Sequence, residues 1–276
     1  MPRLTLAASL TLTIGAVAMA AEPRDLVVNA VTELFVNKDV SAVDRYFGPT
    51  YVQHNATVVD GTDGLKALAT ALAGNAAFKA TPHRVIADGD LVAFHSTYEG
   101  FGPSPLVAFD IFRVANGRIV EHWDALSPIA PPNPSGRTQV DGPTAVTDLD
   151  KTDANCSLVK DFVTTILIRA QYDKLPSYIV ADKYAQHNSG IADGLAGLGA
   201  AIEALGKQGI KMEYFKLHRT VAQGNFVLTQ SEGAFGGKPT AYYDLFRVED
   251  GKIVEHWDVM QPVPPASEAK NQNGMF

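Results

Sequence analysis

The sequence repeats itself at long range, and this repeat limits the fold more than any other feature. Tyr51-Val-Gln-His54-Asn55 returns as Tyr184-Ala-Gln-His187-Asn188, 133 positions later. The run FDIFRVANGRIVEHWD from Phe109 to Asp124 returns as YDLFRVEDGKIVEHWD from Tyr243 to Asp258, 134 later, and His83-Arg84 returns as His218-Arg219, 135 later. Solenoid repeats recur every ~20–50 residues. A period this long is a duplicated domain, and 276 residues accommodate two units of ordinary size.

Pro128, Pro131, Pro132, Pro134 and Gly136 break regular structure between the copies, and a polar stretch follows to Asp150. The expected division is domain one at 22–130, a linker at 131–152 and domain two at 153–265, with a loose tail from Ala266 to Phe276. Each copy reads in the same order. An amphipathic helix (Leu26, Ala30, Leu34 and Phe35; Leu158, Phe162, Val163 and Ile166) precedes a short second helix. The Tyr-x-Gln-His-Asn segment and a Gly-bounded helix come next, then three or four strands joined by Asn116-Gly117 or Asp250-Gly251 hairpins. Helices followed by an antiparallel meander make an α+β unit in which a curved sheet, closed by helices, leaves one cavity per copy.

Composition narrows the partners. Thirty acidic against 23 basic residues give a net charge of −7, which argues against nucleic acid and against docking on anionic lipid. The single Cys156 rules out intrachain disulfides and cysteine-based zinc sites, and no His-x-His or His-x-x-x-His spacing suggests a metal. Arg3, the apolar run Leu4–Val17 and Ala18-Met19-Ala20 read as a signal peptide over residues 1–20. The expectation is a secreted or periplasmic protein, with no membrane contact once the leader is cleaved.

Strand alternation sorts the repeated hairpin into two faces. Asp110 and Phe112 share one face with its neighbours His122 and Asp124; Ile111, Arg113, Glu121 and Trp123 share the other. Asp244, Phe246, His256 and Asp258 repeat the first set. Carboxylates and an imidazole among apolar side chains suit a small-molecule cavity. On the opposite face, Arg113 and Glu121 are placed to pair beside Trp123. Trp123 and Trp257 suit pairing of the two domains as a pseudo-dimer. His54 and His187 are expected to enter the cavity mouth.

These segments resemble the SnoaL-like polyketide cyclase family of the NTF2-like superfamily, tandemly duplicated, and most closely the branch described as aldol-condensation-catalysing. The resemblance covers nearly the whole chain after residue 22. It implies two cone-shaped α+β barrels, each with helices packed on a curved antiparallel sheet. It also implies that Asp110 and Asp244 are acid/base aspartates and that His54 and His187 fall near the base-bearing loop of the related isomerases. Limonene-type epoxide hydrolases would need an Arg two residues before the strand Asp, where Ala108 and Tyr242 stand here.

The expected activity is therefore cofactor-independent acid–base chemistry in each domain, an aldol-type cyclisation or isomerisation of a small apolar carbonyl compound. The expected catalytic residues are His54, Asp110, His122, His187, Asp244 and His256. Tyr51, Phe112, Asp124, Tyr184, Phe246 and Asp258 are expected to contact the substrate. The rival reading is a non-catalytic module that binds a small molecule or associates with itself.

Overall fold

The computed structural model describes residues 22–276, so the signal expected over 1–20 lies outside the described residues. In the N-terminal half, α1 (Pro23–Val31) runs into a π-helical turn, Thr32–Val36, and α2 (Ala42–Tyr46) follows. Then come β1 (Phe47–Gln53), α3 (Gly61–Gly74) and the meander β2 (Lys79–Asp88), β3 (Leu91–Glu99), β4 (Leu106–Ala115) and β5 (Arg118–Pro128). The C-terminal half repeats this with α4 (Thr152–Phe162), a π-helical turn Val163–Ile168, α5 (Leu175–Tyr178), β6 (Ala185–Gln186) and α6 (Gly194–Lys207). Its meander is β7 (Met212–Gln223), β8 (Phe226–Phe235), β9 (Lys238–Glu249) and β10 (Lys252–Pro262).

Each half is an α+β unit on a five-stranded sheet, in the orders β1-β5-β4-β3-β2 and β6-β10-β9-β8-β7. The sheets are mixed, because β1 and β6 lie parallel to β5 and β10. Sequence pattern places these residues before the sheet; the structure adds them to its edge. The hairpin turns behave as their residues require. Asn116 and Gly117 sit at φ 50° and 69°, and Asp250 and Gly251 at 48° and 70°, the paired positive angles that match the twist of the flanking strands.

The inner face of each sheet packs on its helices. Leu26, Val27, Ala30 and Leu34 meet Val92, Phe94 and Phe112 in the first half, and Val159, Phe162 and Ile166 meet Val227 and Phe246 in the second. The outer faces pack on each other: Ile111, Trp123, Leu245 and Trp257 belong to one buried cluster. The Arg219 guanidinium lies 3.7 Å from the Trp123 ring and that of Arg84 lies 4.3 Å from the Trp257 ring, so each half covers the other's indole with a cation. Behind them, Arg84 donates to His95 Nδ1 (3.1 Å) and Arg219 to Gln230 Oε1 (2.6 Å), which explains how His and Gln exchange at one repeat position.

The tail is not loose, contrary to the sequence expectation. It crosses back onto the N-terminal half, where Asn271 Nδ2 donates to Asn55 O (2.7 Å) and Val58 O (3.0 Å) and Asn273 Nδ2 to Gln53 O (3.0 Å). Met275 is buried and its carbonyl accepts from Gln230 Nε2 (2.9 Å). The linker does the reciprocal service, with Asn133 Nδ2 donating to Gln186 O (2.6 Å) and Ile191 O (2.8 Å). Unmet backbone carbonyls of each rim loop, rather than apolar contact alone, explain the docking. Asn271→Ala strands the Val58 carbonyl, takes from the Asn55 carbonyl one of its two donors, and should cost about 1–3 kcal/mol. Urea denaturation reads it; an unchanged midpoint would contradict the clasp.

Candidate functional site

The register of the β4–β5 hairpin puts Asp110 opposite Asp124 and Phe112 opposite His122; β9 and β10 repeat it with Asp244 opposite Asp258 and Phe246 opposite His256. These side chains point inward, beneath the helices. His122 Nε2 lies 3.2 Å from Asp110 Oδ1, and His256 Nε2 lies 3.0 Å from Asp244 Oδ1. Both imidazoles are buried, as are Asp110, Asp124 and Asp244, while Asp258 is partly open to its cavity.

Gln53, Asn55, Gln186 and Asn188, which sequence reading did not select, hold these groups in place. Gln53 Oε1 accepts from the backbone of Asn55 (2.8 Å) and faces His122 Nδ1 (3.0 Å), while Gln53 Nε2 donates to the Tyr51 hydroxyl (3.0 Å). The amide orientation thus makes Nδ1 a donor. The proton between Nε2 and Asp110 then belongs to either partner of the pair. Gln186 and Tyr184 hold His256 in the same way, with His256 Nδ1 3.0 Å from Gln186 Oε1. Asn55 Nδ2 donates to Asp124 Oδ2 (2.8 Å) and Asn188 Nδ2 to Asp258 Oδ2 (2.7 Å).

A tyrosine completes each cluster from a different strand. Tyr98 of β3 donates to Asp110 Oδ2 (2.8 Å), whereas Tyr214 of β7 reaches Asp244 Oδ1 (3.2 Å) and Oδ2 (3.3 Å). Where the repeat places Tyr98, the second half has Gly233, and where it places Ala108 it has Tyr242. Tyr242 stacks on Tyr214 at 4.1 Å and passes so close that a Cβ on Gly233 would lie 2.8 Å from its ring. No repeat signature links Tyr98 to Tyr214, so only the folded chain reveals the shared role.

Burial works against positive charge on His122 and His256. The hydrogen bonds to Asp110 and Asp244 and the neighbouring carboxylates outweigh it, and both imidazoles stand above their usual 6.5. Burial pushes the Asp124 carboxyl up to about 6, against the pull of His122. Burial also raises Asp258, again opposed by its histidine. Tyr214 is raised well above 10 by burial and by Asp244, so its hydroxyl keeps its proton.

His54 and His187 do not enter the cavities. Tyr51, Gln53 and Asn55 face inward, and His54 between them faces outward, stacked 4.8 Å from Trp123. Its Nδ1 lies 2.8 Å from Gly274 O and its Nε2 lies 2.8 Å from Glu121 Oε1. His187 stacks 4.5 Å from Trp257, between Thr138 O (2.8 Å) and Glu255 Oε1 (2.9 Å). With both nitrogens facing acceptors, neither ring is free to take a substrate proton. The alternation that sorted the hairpin also separates His54 from Tyr51, Gln53 and Asn55, and it is the signal that would have found Gln53, Asn55, Gln186 and Asn188. Arg113 pairs with Glu121 (2.8 Å) and lies 5.0 Å from the Trp123 ring on the outer face.

The two cavities differ about tenfold in size. The first has about 40 Å³, since Phe35, Phe78, Tyr98 and Phe101 close over it and α3 buries Leu65, Ala69 and Leu72 against the sheet. The second has about 470 Å³. There α6 buries no residue, and its Leu198, Ala201, Ile202 and Leu205 form an apolar wall facing Asp244, His256 and Asp258. Of the expected substrate contacts, Tyr51, Phe112 and Asp124 line the small hollow, and Tyr184, Phe246 and Asp258 the large one.

A family model for the SnoaL-like domain matches residues 28–122 and again 159–256. Among solved structures, TsrD from Streptomyces laurentii is similar at 19% identity, covering 38% of this chain and 88% of its own, with a TM-score of 0.34. IdmH from Streptomyces antibioticus is similar at 22% identity over 39% of this chain and 93% of its own (TM-score 0.34). An epoxide hydrolase from M. tuberculosis described as LEH-like shares 25% identity over 38% of this chain and 82% of its own (TM-score 0.33). No curated protein matches the chain.

Two outcomes follow from the geometry. An apolar fluorescent probe should bind once per chain, and Ala201→Trp should abolish that binding; two equivalent sites would contradict the difference in cavity size. The pH dependence has a defined sign. The raised His256 contributes stability that is complete below 6.5 and lost as pH climbs through its higher folded value. Asp258 holds its proton more tightly folded than unfolded, so its contribution also declines as pH rises from about 3.8. Asp258→Asn should flatten the fall of the urea midpoint that begins there, and a steeper fall would refute the assignment.

Proposed function

We propose a reaction class for this chain, which belongs to the SnoaL-like domain family in both halves: acid–base chemistry, without a cofactor, at a carbon next to a carbonyl. The C-terminal cavity is its site. The observation that carries this is the Asp244–His256 pair set beside Asp258 in the wall of a 470 Å³ apolar cavity. A cavity of that size takes a small organic molecule, and the filled N-terminal hollow does not.

The roles follow from which atoms remain available. Both nitrogens of His256 are engaged, so it acts through Asp244 as a positioning residue that shares its proton. The Asp244 carboxylate, paired with that imidazolium, takes the proton from the carbon α to the carbonyl. The electrons move to the oxygen, and the resulting enolate needs a hydrogen-bond donor there. The Tyr214 hydroxyl is committed to Asp244, whereas burial favours the neutral acid at Asp258, which lines the cavity and suits the donor role. Apolar walls exclude water and strengthen these bonds. Return of the proton to another carbon is isomerisation; attack of the enolate on a second carbonyl is aldol closure. The substrate class is a small, mostly apolar ketone.

Hydrogen–deuterium exchange at the α carbons of bicyclic and long-chain ketones, followed by NMR in D2O, tests this without knowing the natural substrate. The wild-type chain should accelerate exchange, and Asp244→Asn should slow it by about 10²–10⁴-fold. Binding of the ketones with exchange at the buffer rate would overturn the proposal and favour a binding module.

A further inference from the structure

We propose that the small N-terminal hollow is a binding site for a divalent transition-metal ion, held by Asp110 Oδ1, His122 Nε2 and Asp124 Oδ1. This goes beyond the acid–base reading, which concerns the other half. Asp110, His122 and Asp124 each offer a ligand atom within 4.8 Å of the others, and they are the one trio so gathered among the described residues. Strand alternation puts the three on one face, and the pairing of Asp110 with Asp124 across two strands brings them together without a His-x-His spacing.

The second observation is an orphaned atom. Asp124 is 7% exposed, lines the hollow, and its Oδ1 has no hydrogen-bond partner. Buried carboxylate oxygens without partners are rare, and an ion is one standard resolution. The remaining atoms of the trio are all tied back. Tyr98 donates to Asp110 Oδ2 (2.8 Å), Asn55 to Asp124 Oδ2 (2.8 Å), and His122 Nδ1 to Gln53 Oε1 (3.0 Å). Such outer partners fix ligand orientation in metal sites.

Size and charge agree, as does the one ligand distance set by the Asp110–His122 pair. The hollow of about 40 Å³ has room for an ion with a water and too little for an organic substrate. Two carboxylates and a neutral imidazole balance a dipositive charge, so the buried group becomes neutral overall. Zinc bonds to N and O of about 2.1 Å place tetrahedral ligands roughly 3.4 Å apart, and His122 Nε2 already lies 3.2 Å from Asp110 Oδ1. The ion takes the place of the proton shared by that pair, which leaves to solvent. One nitrogen and two oxygens suit zinc or its first-row neighbours better than softer ions.

The full chain, stripped with chelator, dialysed against Zn2+ and desalted, should carry one zinc by elemental mass spectrometry. Titration calorimetry should show binding weakened about a hundredfold or more in Asp110→Asn and Asp124→Asn, and about tenfold or more in Gln53→Ala. Zinc should raise the urea midpoint of the wild-type chain and not that of Asp124→Asn. Where a variant fails to fold, cobalt bound to the wild-type chain should show the visible absorption of a four-coordinate site. Absence of stoichiometric zinc, uptake unchanged in folded Asp110→Asn and Asp124→Asn, or only the spectrum of hydrated cobalt would each overturn the proposal.

Discussion

Side-chain alternation along β5 and β10 is the constraint from which the rest of the molecule follows. In each strand the sequence His-Trp-Asp sends an imidazole and a carboxylate inward and an indole outward. A slip of one residue would exchange the faces, placing tryptophan among the carboxylates and charges at the contact between the halves. The same alternation in the preceding segment sends Gln53 to His122 and Asn55 to Asp124 while turning His54 toward Trp123. One period of two therefore builds the polar cluster and the join between halves together.

Burying two carboxylates and an imidazole is unfavourable unless each is supported. The structure supports them from edge strands and rim loops, which are in turn held by the far ends of the chain. Asn273 ties down Gln53, and Asn133 ties down Gln186. Neither half is complete alone: the linker braces the second cluster and the tail braces the first. The arrangement resembles two subunits of a dimer exchanging their C-terminal arms, now joined in one chain, with arginines from each side closing over the other's indole.

Identical motifs do not make identical cavities. Both halves place an Asp beside a His, a second Asp across the hairpin and a tyrosine hydroxyl on the first Asp. The volume around them is decided by groups outside the motif. Phe35, Phe78, Tyr98 and Phe101 fill the first hollow, and α6 stands off the second. Duplication leaves the chemistry of two walls alike while the packing of their lids diverges.

Much of this was legible in the residues. The repeat gave two domains, the Asn-Gly and Asp-Gly pairs gave the hairpins, and alternation put Asp110, His122 and Asp124 on one face, and their copies likewise, while their mixed chemistry pointed that face to a cavity. These are short-range properties, set by backbone geometry between neighbours. The sequence misled where a motif residue was chosen for its chemistry instead of its parity, as at His54 and His187, and where polar chain ends looked free but supplied hydrogen bonds to rim carbonyls. Tertiary structure alone decided that Tyr98 and Tyr214 converge on equivalent aspartates from different strands and that only the second of these two cavities has room for an organic molecule. Those outcomes depend on how distant helices and aromatic side chains fill space, which no local period records.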